Sequence, residues 1–174
     1  MLNIAWQKIN MPKPEIDSED ALGTGTSLVK IISEVLEEVD PELDAAQDDL
    51  AVTIKPESIK KVCELSKFRP ELDFNYLRCI SVVDYIERLE INYHLLSLSN
   101  RFKMVIKINV PPEKALVPTV SSIWKAANWF ERESHDLFGV VFEGHPNLSP
   151  LLLYDEFEGH PGLKSFPFHE YDEW

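Results

Sequence analysis

Four histidines within 35 residues could provide metal ligands: His135, His145, His160 and His169. Two of them lie in a repeated pentapeptide, FEGHP, at 142–146 and 157–161. Three histidines with a carboxylate would suit zinc or iron. However, the spacings of ten, fifteen and nine residues match no helix or knuckle ligand pattern, and no HExxH sequence occurs. We therefore predict no metal site, and keep a metal-dependent hydrolase using the first three histidines as an alternative.

The pentapeptides are more simply interpreted as two bends in the chain. Glycine permits a turn, proline fixes the direction after it, and phenylalanine anchors the bend by burial. Proline also biases the preceding residue toward an extended backbone, which places neither histidine on a helix. The predicted corners consist of two triplets: Gly144, His145, Pro146 and Gly159, His160, Pro161.

A second cluster of reactive side chains has the sequence ERESHD, from Glu131 to Asp136. On a helix, Arg132 can pair with Asp136, and Glu131 with His135, because each pair is four residues apart. A Glu–His pair could act as general acid and base. Structural ion pairs have the same pattern, so we favour a salt-bridged helix at an interface, with no catalytic residue.

The sequence also lacks the motifs of other cofactor and nucleophile sites. The chain has six glycines and no GxGxxG phosphate loop, and it has no GxSxG nucleophile motif. Two cysteines, Cys63 and Cys79, are too few for an iron–sulfur cluster or a four-thiolate zinc site. We therefore predict that this chain binds no cofactor itself.

Composition limits the partners. The 174 residues carry a net charge of −13, which argues against DNA, RNA and anionic membrane surfaces. No apolar run of about 18 residues is present, and the opening residues lack the apolar core of a secretory signal. A protein partner remains the predicted ligand.

The elements that position these residues indicate an α+β fold. Apolar spacing predicts helices over 28–39, 56–69 and 120–138, and alternation predicts strands over 51–56, 76–84, 89–98 and 102–110. Gly139 is a suitable C′ residue for the third helix, and the acidic stretch 37–50 is predicted to be a solvated loop. The expected fold has two layers, with a mixed, mostly antiparallel sheet and helices packed on one face.

Three regions are predicted along the chain. Residues 1–25 form an N-terminal arm, residues 26–139 form the α+β domain, and residues 140–174 form an extended C-terminal docking segment. This last segment is rich in apolar side chains, which its own small domain cannot bury completely, so it is predicted to lie along a partner. Burial of four side chains against the chain's own sheet would contradict this prediction: Leu151, Phe157, Phe166 and Trp174.

The stretch ANWFERESHDLFGVVFEGHPNL resembles the signature of the C subunit of respiratory NADH–quinone oxidoreductase (complex I). That family has an A-x-W-x-E-R-E helix, a D-[ML]-[FY]-G turn and an F-x-G-H-P loop. The segments FNYLRCISVVDY and LEINYHLLSL resemble its two central strands, so the similarity covers about 70–170. The residues that carry the motif are Trp129, Glu131, Arg132, Glu133, Asp136, Phe138, Gly139, Gly144, His145 and Pro146.

The resemblance implies a structural subunit that lacks a redox centre and supports the quinone-site subunit in the soluble arm. Its neighbours would include iron–sulfur subunits, and the iron–sulfur clusters, FMN and quinone would belong to partners. It would lie on the cytoplasmic side and reach the membrane only through the complex. Membrane-bound energy-converting [NiFe] hydrogenases contain a related subunit, which is the alternative. The predicted interface comprises the motif residues with His135, Gly159, His160, Pro161 and Lys164.

Two departures from the family pattern lie in the tail. The chain reads NLSPLLL where the family usually has N-L-R-R, and GHPGLKSFP where it usually has G-H-P-L-R-K-D-[FY]-P. Only Lys164 remains of the basic pair in the second segment, so the usual ion pairs of the tail are in question. The sequences HDLFGV and PLLL lean toward the hydrogenase-type relatives.

Overall fold

A computed structural model describes residues 18–46 and 49–167. The helices are α1 (Ser18–Val35), α2 (Ile59–Phe68) and α3 (Ala127–Phe138). The strands are β1 (Glu42–Ala46), β2 (Asp49–Ile54), β3 (Tyr76–Asp84), β4 (Leu89–Leu96), β5 (Lys103–Val110), β6 (Leu116–Pro118) and β7 (Val141–Glu143). Single 3-10 turns occupy Glu37–Val39, Pro56–Ser58 and Pro112–Lys114.

Five of the strands form one mixed sheet, in the order β1-β2-β5-β4-β3. The neighbours β3, β4 and β5 run antiparallel, as does the pair β1 and β2, whereas β2 and β5 are parallel. The parallel pair arises because α2 and the β3–β4 hairpin lie between its two strands in the chain. The predicted α+β class and the antiparallel meander are confirmed.

The core lies between the sheet and the helices. Alternate side chains of β4 and β5 are buried, including Tyr93 and Ile106, as their period of two predicts. Ile32 of α1 and Val62 of α2 belong to the same buried cluster. One continuous core therefore fixes the sheet and positions the loops around α3.

The acidic stretch after α1 is ordered, contrary to the prediction of a solvated loop. Glu37–Val39 is a 3-10 turn, and β1 pairs with β2 along its whole length. Leu43 packs partly against the core, while its neighbours Glu42 and Asp44 are exposed. The sequence did not reveal this edge strand, because only one of its faces is apolar and the acidic side chains of the other face resemble a solvated loop.

Three predicted boundaries also shift. Helix α1 begins at Ser18, inside the predicted arm of residues 1–25. Strand β7 pairs in parallel with β6, with Phe142 opposite Val117, so residues 141–143 belong to the folded domain instead of the tail. The third helix begins at Ala127, not near 120, because residues 121–126 form turns before it.

No helix in the described parts of the chain combines the length and the apolar character needed to cross a membrane.

Candidate functional site

The candidate site is built on α3, whose buried polar side chains are Glu131, Ser134 and Asp136. Glu131 has no exposed surface. Its Oε1 accepts a hydrogen bond from the Val120 N–H at 2.7 Å, and its Oε2 accepts one from the Thr119 hydroxyl. The turns that precede α3 therefore close over this carboxyl group.

Glu131 faces His145 of the first pentapeptide, not His135 as predicted. Glu131 Oε2 lies 3.8 Å from His145 Nε2, and both side chains are completely buried. The Asn147 N–H donates to His145 Nδ1 at 3.1 Å, so a neutral imidazole carries its proton on Nε2. The first pentapeptide therefore lies against the middle of the helix.

Both members of this pair shift toward their neutral forms. Burial raises the pKa of Glu131 to about 7, although the hydrogen bonds from Thr119 and Val120 oppose this shift. Burial is also the main cause that lowers the pKa of His145. A buried environment disfavours the charged form of either group, so Glu131 is only partly ionised near neutral pH and His145 favours its neutral form.

Arg132 and Asp136 do not pair with each other; each holds the tail. Arg132 Nε donates to the Ser149 carbonyl oxygen at 3.0 Å and Nη2 donates to the Pro150 carbonyl oxygen at 2.7 Å. The guanidinium carbon lies 5.3 Å from the centre of the Trp129 ring, within cation–π range. This side chain therefore fixes the segment that follows the first bend.

Asp136 binds the next three residues of the tail. Its Oδ2 accepts the N–H groups of Leu151, Leu152 and Leu153 at 3.1, 2.7 and 2.9 Å. Burial raises the pKa of Asp136, but these three hydrogen bonds lower it, and the net pKa shift is downward. A carboxylate that accepts several backbone N–H groups is stabilised in its charged form.

The second pentapeptide caps the C-terminal end of α3. The Gly139 N–H donates to the His135 carbonyl oxygen at 2.9 Å, and Gly139 has a φ of 73°, as its predicted C′ position requires. His160 Nδ1 donates to the Asp136 carbonyl oxygen at 3.0 Å, and the Gly162 N–H donates to the Leu137 carbonyl oxygen at 2.8 Å. These contacts satisfy carbonyl groups that a helix end leaves unpaired.

Both predicted bends are confirmed as glycine turns. Gly144 has a φ of 81° and Gly159 a φ of 91°, in the left-handed region that favours glycine. Phe142 is buried in the core, whereas the Phe157 ring stacks on Phe166 at a centroid distance of 5.9 Å. The two phenylalanine anchors thus have different partners.

The histidines of the metal alternative do not converge. His135 donates through Nδ1 to the Val140 carbonyl oxygen at 2.9 Å, and its ring centre lies 6.4 Å from that of His160. His145 faces Glu131 instead. Within residues 18–46 and 49–167, no three His, Cys, Asp or Glu residues form a metal-sized group; His169 lies outside these ranges.

The tail shelters part of its apolar surface on this chain, and the predicted contact with a partner stays a prediction. Leu148 and Leu163 pack against the core, and three of the four side chains whose burial would contradict that expectation are half-buried: Leu151, Phe157 and Phe166. The fourth, Trp174, lies outside the described residues. Large apolar side chains remain exposed at Trp129, Leu152 and Tyr154, with exposed fractions of 59%, 59% and 68%.

Of the remaining predicted interface residues, Lys164 and Phe138 contact other parts of this chain. The Lys164 N–H donates to Asp84 Oδ2 at 2.7 Å while its side chain is exposed. Phe138 contacts the tail at Gly162, where an added Cβ would lie 2.8 Å from its ring. Glu133, Pro146 and Pro161 are half-buried or exposed.

Sequence reasoning missed the partners of the site: Asp84, Thr119, Val120, Ser149 and Pro150. Most of them act through main-chain groups, which leave no signal in residue type. Asp84 at the end of a predicted strand was the one detectable signal, because aspartate commonly binds backbone N–H groups in turns.

Comparison with known proteins identifies the family. Residues 52–172 match the family described as "Respiratory-chain NADH dehydrogenase, 30 Kd subunit". The chain belongs to this family. All residues of the α3 site lie inside the matched range, so the resemblance carried by the α3 motif is confirmed.

Relatives in this family have consistent names. The C subunit of NADH-quinone oxidoreductase from Roseiflexus sp. (strain RS-1) is 40% identical over 122 residues, covering 68% of this chain and 70% of that protein. The C 2 subunit of NADH-quinone oxidoreductase from Rhizobium meliloti (strain 1021) is 40% identical over 136 residues, covering 75% and 73%. These relatives support a role for this chain as a subunit of a complex I-type assembly.

Two solved structures share the fold. A chain of the membrane-bound sulfane sulfur reductase, described as an archaeal respiratory membrane complex, aligns with a TM-score of 0.69 and 27% identity. That match covers 80% of this chain and 85% of the other. A trypsin-resistant fragment of Nqo5 aligns with a TM-score of 0.59 and 29% identity, covering 70% and 99%.

Proposed function

We propose that this chain is a non-catalytic structural subunit in the peripheral arm of an NADH–quinone oxidoreductase. There it supports the subunit that forms the quinone site, while the complex couples electron transfer from NADH to proton translocation. One observation carries the proposal: the charged side chains of α3 hold the chain's own tail, and apolar side chains remain exposed beside them.

The exposed side chains Trp129, Leu152 and Tyr154 constitute the docking face. Arg132 connects the α3 part of this face to the tail part, because its guanidinium lies over the Trp129 ring and donates to the Pro150 carbonyl oxygen. Asp136 fixes the backbone at Leu152. Exposed apolar groups on a fixed backbone are typical of protein interfaces, because a backbone that is already ordered loses little conformational entropy on binding.

The site geometry supports a structural role over a catalytic one. Glu131 and His145, the pair with shifted pKa values, have completely buried side chains, so a substrate has no access to them. His135 and His160 bind main-chain carbonyl groups at the end of α3. We propose that this chain holds no cofactor, and that FMN, iron–sulfur clusters and quinone belong to partner subunits.

The proposed partners are the quinone-site subunit and the iron–sulfur subunits of the peripheral arm. The chain would lie on the cytoplasmic side of the membrane and reach it only through the complex. Its net charge of −13 favours protein contacts over nucleic acids or anionic lipid.

A second candidate is the equivalent subunit of another respiratory membrane complex, such as an energy-converting [NiFe] hydrogenase. The likeness to a chain of the sulfane sulfur reductase complex, at a TM-score of 0.69, favours keeping this candidate. Both candidates use the same docking face and differ in the partner that covers it.

Purification of the native complex tests the proposal. The full chain, tagged at its N-terminus, would be isolated from solubilised membranes, and the co-purifying subunits identified by mass spectrometry. NADH-binding and quinone-site subunits in stoichiometric amounts support the first candidate. A nickel–iron subunit supports the second, and a chain that purifies alone contradicts both.

A matched pair of variants tests the docking face. Leu152→Ser with Tyr154→Ser is expected to reduce recovery of partner subunits about tenfold, because large buried apolar groups dominate interface energies. Leu98→Ser is the control, since Leu98 is 63% exposed in the turn after β4 and lies outside the docking face. Equal recovery with both variants would exclude this face.

A further inference from the structure

A groove of about 710 Å³ lies at the N-terminal end of α3, next to the docking face. Its walls include Lys60 from α2, Lys125 from the turns before α3, Trp129 from the first turn of α3, and Glu143 from β7. Trp129 belongs to both surfaces, so the groove continues the proposed docking face.

The groove is cationic in a strongly acidic chain. The sequence carries a net charge of −13, yet the groove has two exposed lysines, Lys60 and Lys125, and one exposed acid, Glu143. Neither lysine forms an ion pair with a carboxylate in the described parts of the chain; the neighbouring Lys61 pairs with Glu38. Two ammonium groups are therefore available to an anionic ligand.

The other lining groups suit an extended peptide. Ser121 and Ser122 also line the groove and supply hydroxyl donors and acceptors for a peptide backbone. The Trp129 ring offers an apolar surface 59% exposed to solvent. The carboxyl group of Glu131 is hydrogen-bonded to Thr119 and has no exposed surface, so it does not meet the ligand.

We propose that this groove binds an acidic, extended segment of a neighbouring subunit in the complex. Carboxylates of that segment pair with Lys60 and Lys125, and one of its apolar side chains packs on Trp129. Charge complementarity selects this occupant, since lysine ammonium groups favour carboxylates and repel basic segments. The inference rests on the proposed function only in requiring an assembled complex, and it holds for either candidate.

Zero-length carbodiimide cross-linking of the purified intact complex tests the inference, because it joins only amines and carboxylates already in contact. We expect Lys60 or Lys125 to be linked to an Asp or Glu of another subunit. The exposed Lys55 and Lys114 are controls elsewhere on the chain, expected to give no link to that segment.

Charge reversal provides a second readout. The double variant Lys60→Glu with Lys125→Glu is expected to be released from the complex at lower salt, with retention reduced about fivefold at physiological ionic strength. The matched variant Lys55→Glu with Lys114→Glu carries the same charge change and is expected to be retained like the unmodified chain.

Three outcomes overturn the inference. One is the absence of any link from either groove lysine to another subunit. Another is linkage only to this chain's own acidic C-terminal residues, 168–174, which would make the groove a site for its own tail. The third is equal retention of the two double variants. A chain found in no complex instead contradicts the proposed function as well, so the two failures are distinguishable.

Discussion

The two FEGHP pentapeptides share five residues and a left-handed glycine, but their surroundings differ. In the first, Phe142 is buried in the core and His145 lies against Glu131 in the middle of α3. In the second, Phe157 is half-buried on Phe166, and His160 donates to the carbonyl group of Asp136 at the helix end. One copy supports the side of the helix and the other caps its end.

This difference shows that the pentapeptide specifies a bend and not a role. Glycine and proline determine the local backbone in both copies. The function of each histidine is then determined by the α3 atoms that it meets: a buried carboxyl group in one case and an unpaired carbonyl group in the other. A residue type repeated in sequence therefore need not indicate a shared site.

Gly139→Ala is expected to have the largest effect, because it strains the left-handed end of α3 and displaces His160 of the second bend. An added Cβ would lie 2.7 Å from the His160 ring, and φ is 73°. Left-handed strain plus overpacking should lower the free energy of unfolding by about 3 kcal/mol, measured by urea denaturation of the full chain.

Gly144→Ala is the matched control in the first bend. It has the same left-handed backbone, but the nearest atom to its added Cβ is Thr119 Cγ2 at 3.5 Å, an ordinary contact. Only strain of about 1 kcal/mol is expected. If the two glycine variants were equally destabilised, the contact with His160 would not distinguish the bends.

Glu131→Gln tests the first bend through its pH dependence. The folded pKa of Glu131 is raised to about 7 from an ordinary 4.5, so the folded protein binds this proton more tightly than the unfolded chain. The stability contributed by Glu131 is therefore present at low pH and is lost as pH rises from 5 through 7. Stability of the Gln variant relative to the unmodified chain should increase by about 2 kcal/mol between pH 5 and pH 8.

His145 acts in the opposite direction in the same experiment. Its pKa is lowered, so its protonation in the unfolded chain reduces stability as pH falls below about 6.5. Because His145 is present in both proteins, most of its own contribution cancels in the difference between them. A difference that stays constant between pH 5 and pH 8 would show that the Glu131 carboxyl is not desolvated in the folded protein.

Asp136→Asn should have a smaller effect than Glu131→Gln, limited to the tail between the bends. The amide retains one oxygen acceptor but loses the negative charge that binds three N–H groups. The free energy that holds the tail in place should fall by about 1 to 1.5 kcal/mol. This corresponds to about tenfold faster chymotrypsin cleavage at Tyr154. The control Glu133→Gln lies on the same helix but does not make this contact, so chymotrypsin should cleave that variant at the rate of the unmodified chain.

Local patterns predicted much of the fold. Alternation located β3, β4 and β5, and Gly139 ended α3 at the predicted position, because these signals depend on near neighbours in the chain. The edge strand β1 was hidden by its acidic face. The start of α3 was also placed too early, since the turns over 121–126 contain helix-forming residues.

The site was only partly predictable for a physical reason. Arg132 and Asp136 have ideal spacing for a helix ion pair, yet an exposed pair contributes at most about 1 kcal/mol. Three backbone N–H groups bound to one carboxylate, and two carbonyl groups bound to one guanidinium, are stronger charge-assisted contacts. These donors and acceptors lie 15 to 18 residues away, and no residue type marks them.

Hydrogen exchange of the isolated, full-length chain tests the central claim that α3 holds the tail before any partner binds. We predict that the amides of Leu151, Leu152 and Leu153 exchange at least about tenfold more slowly than an unfolded reference, and that assembly into the complex slows them little further. Exchange at the unfolded rate in the isolated chain, with protection only after assembly, would contradict this claim.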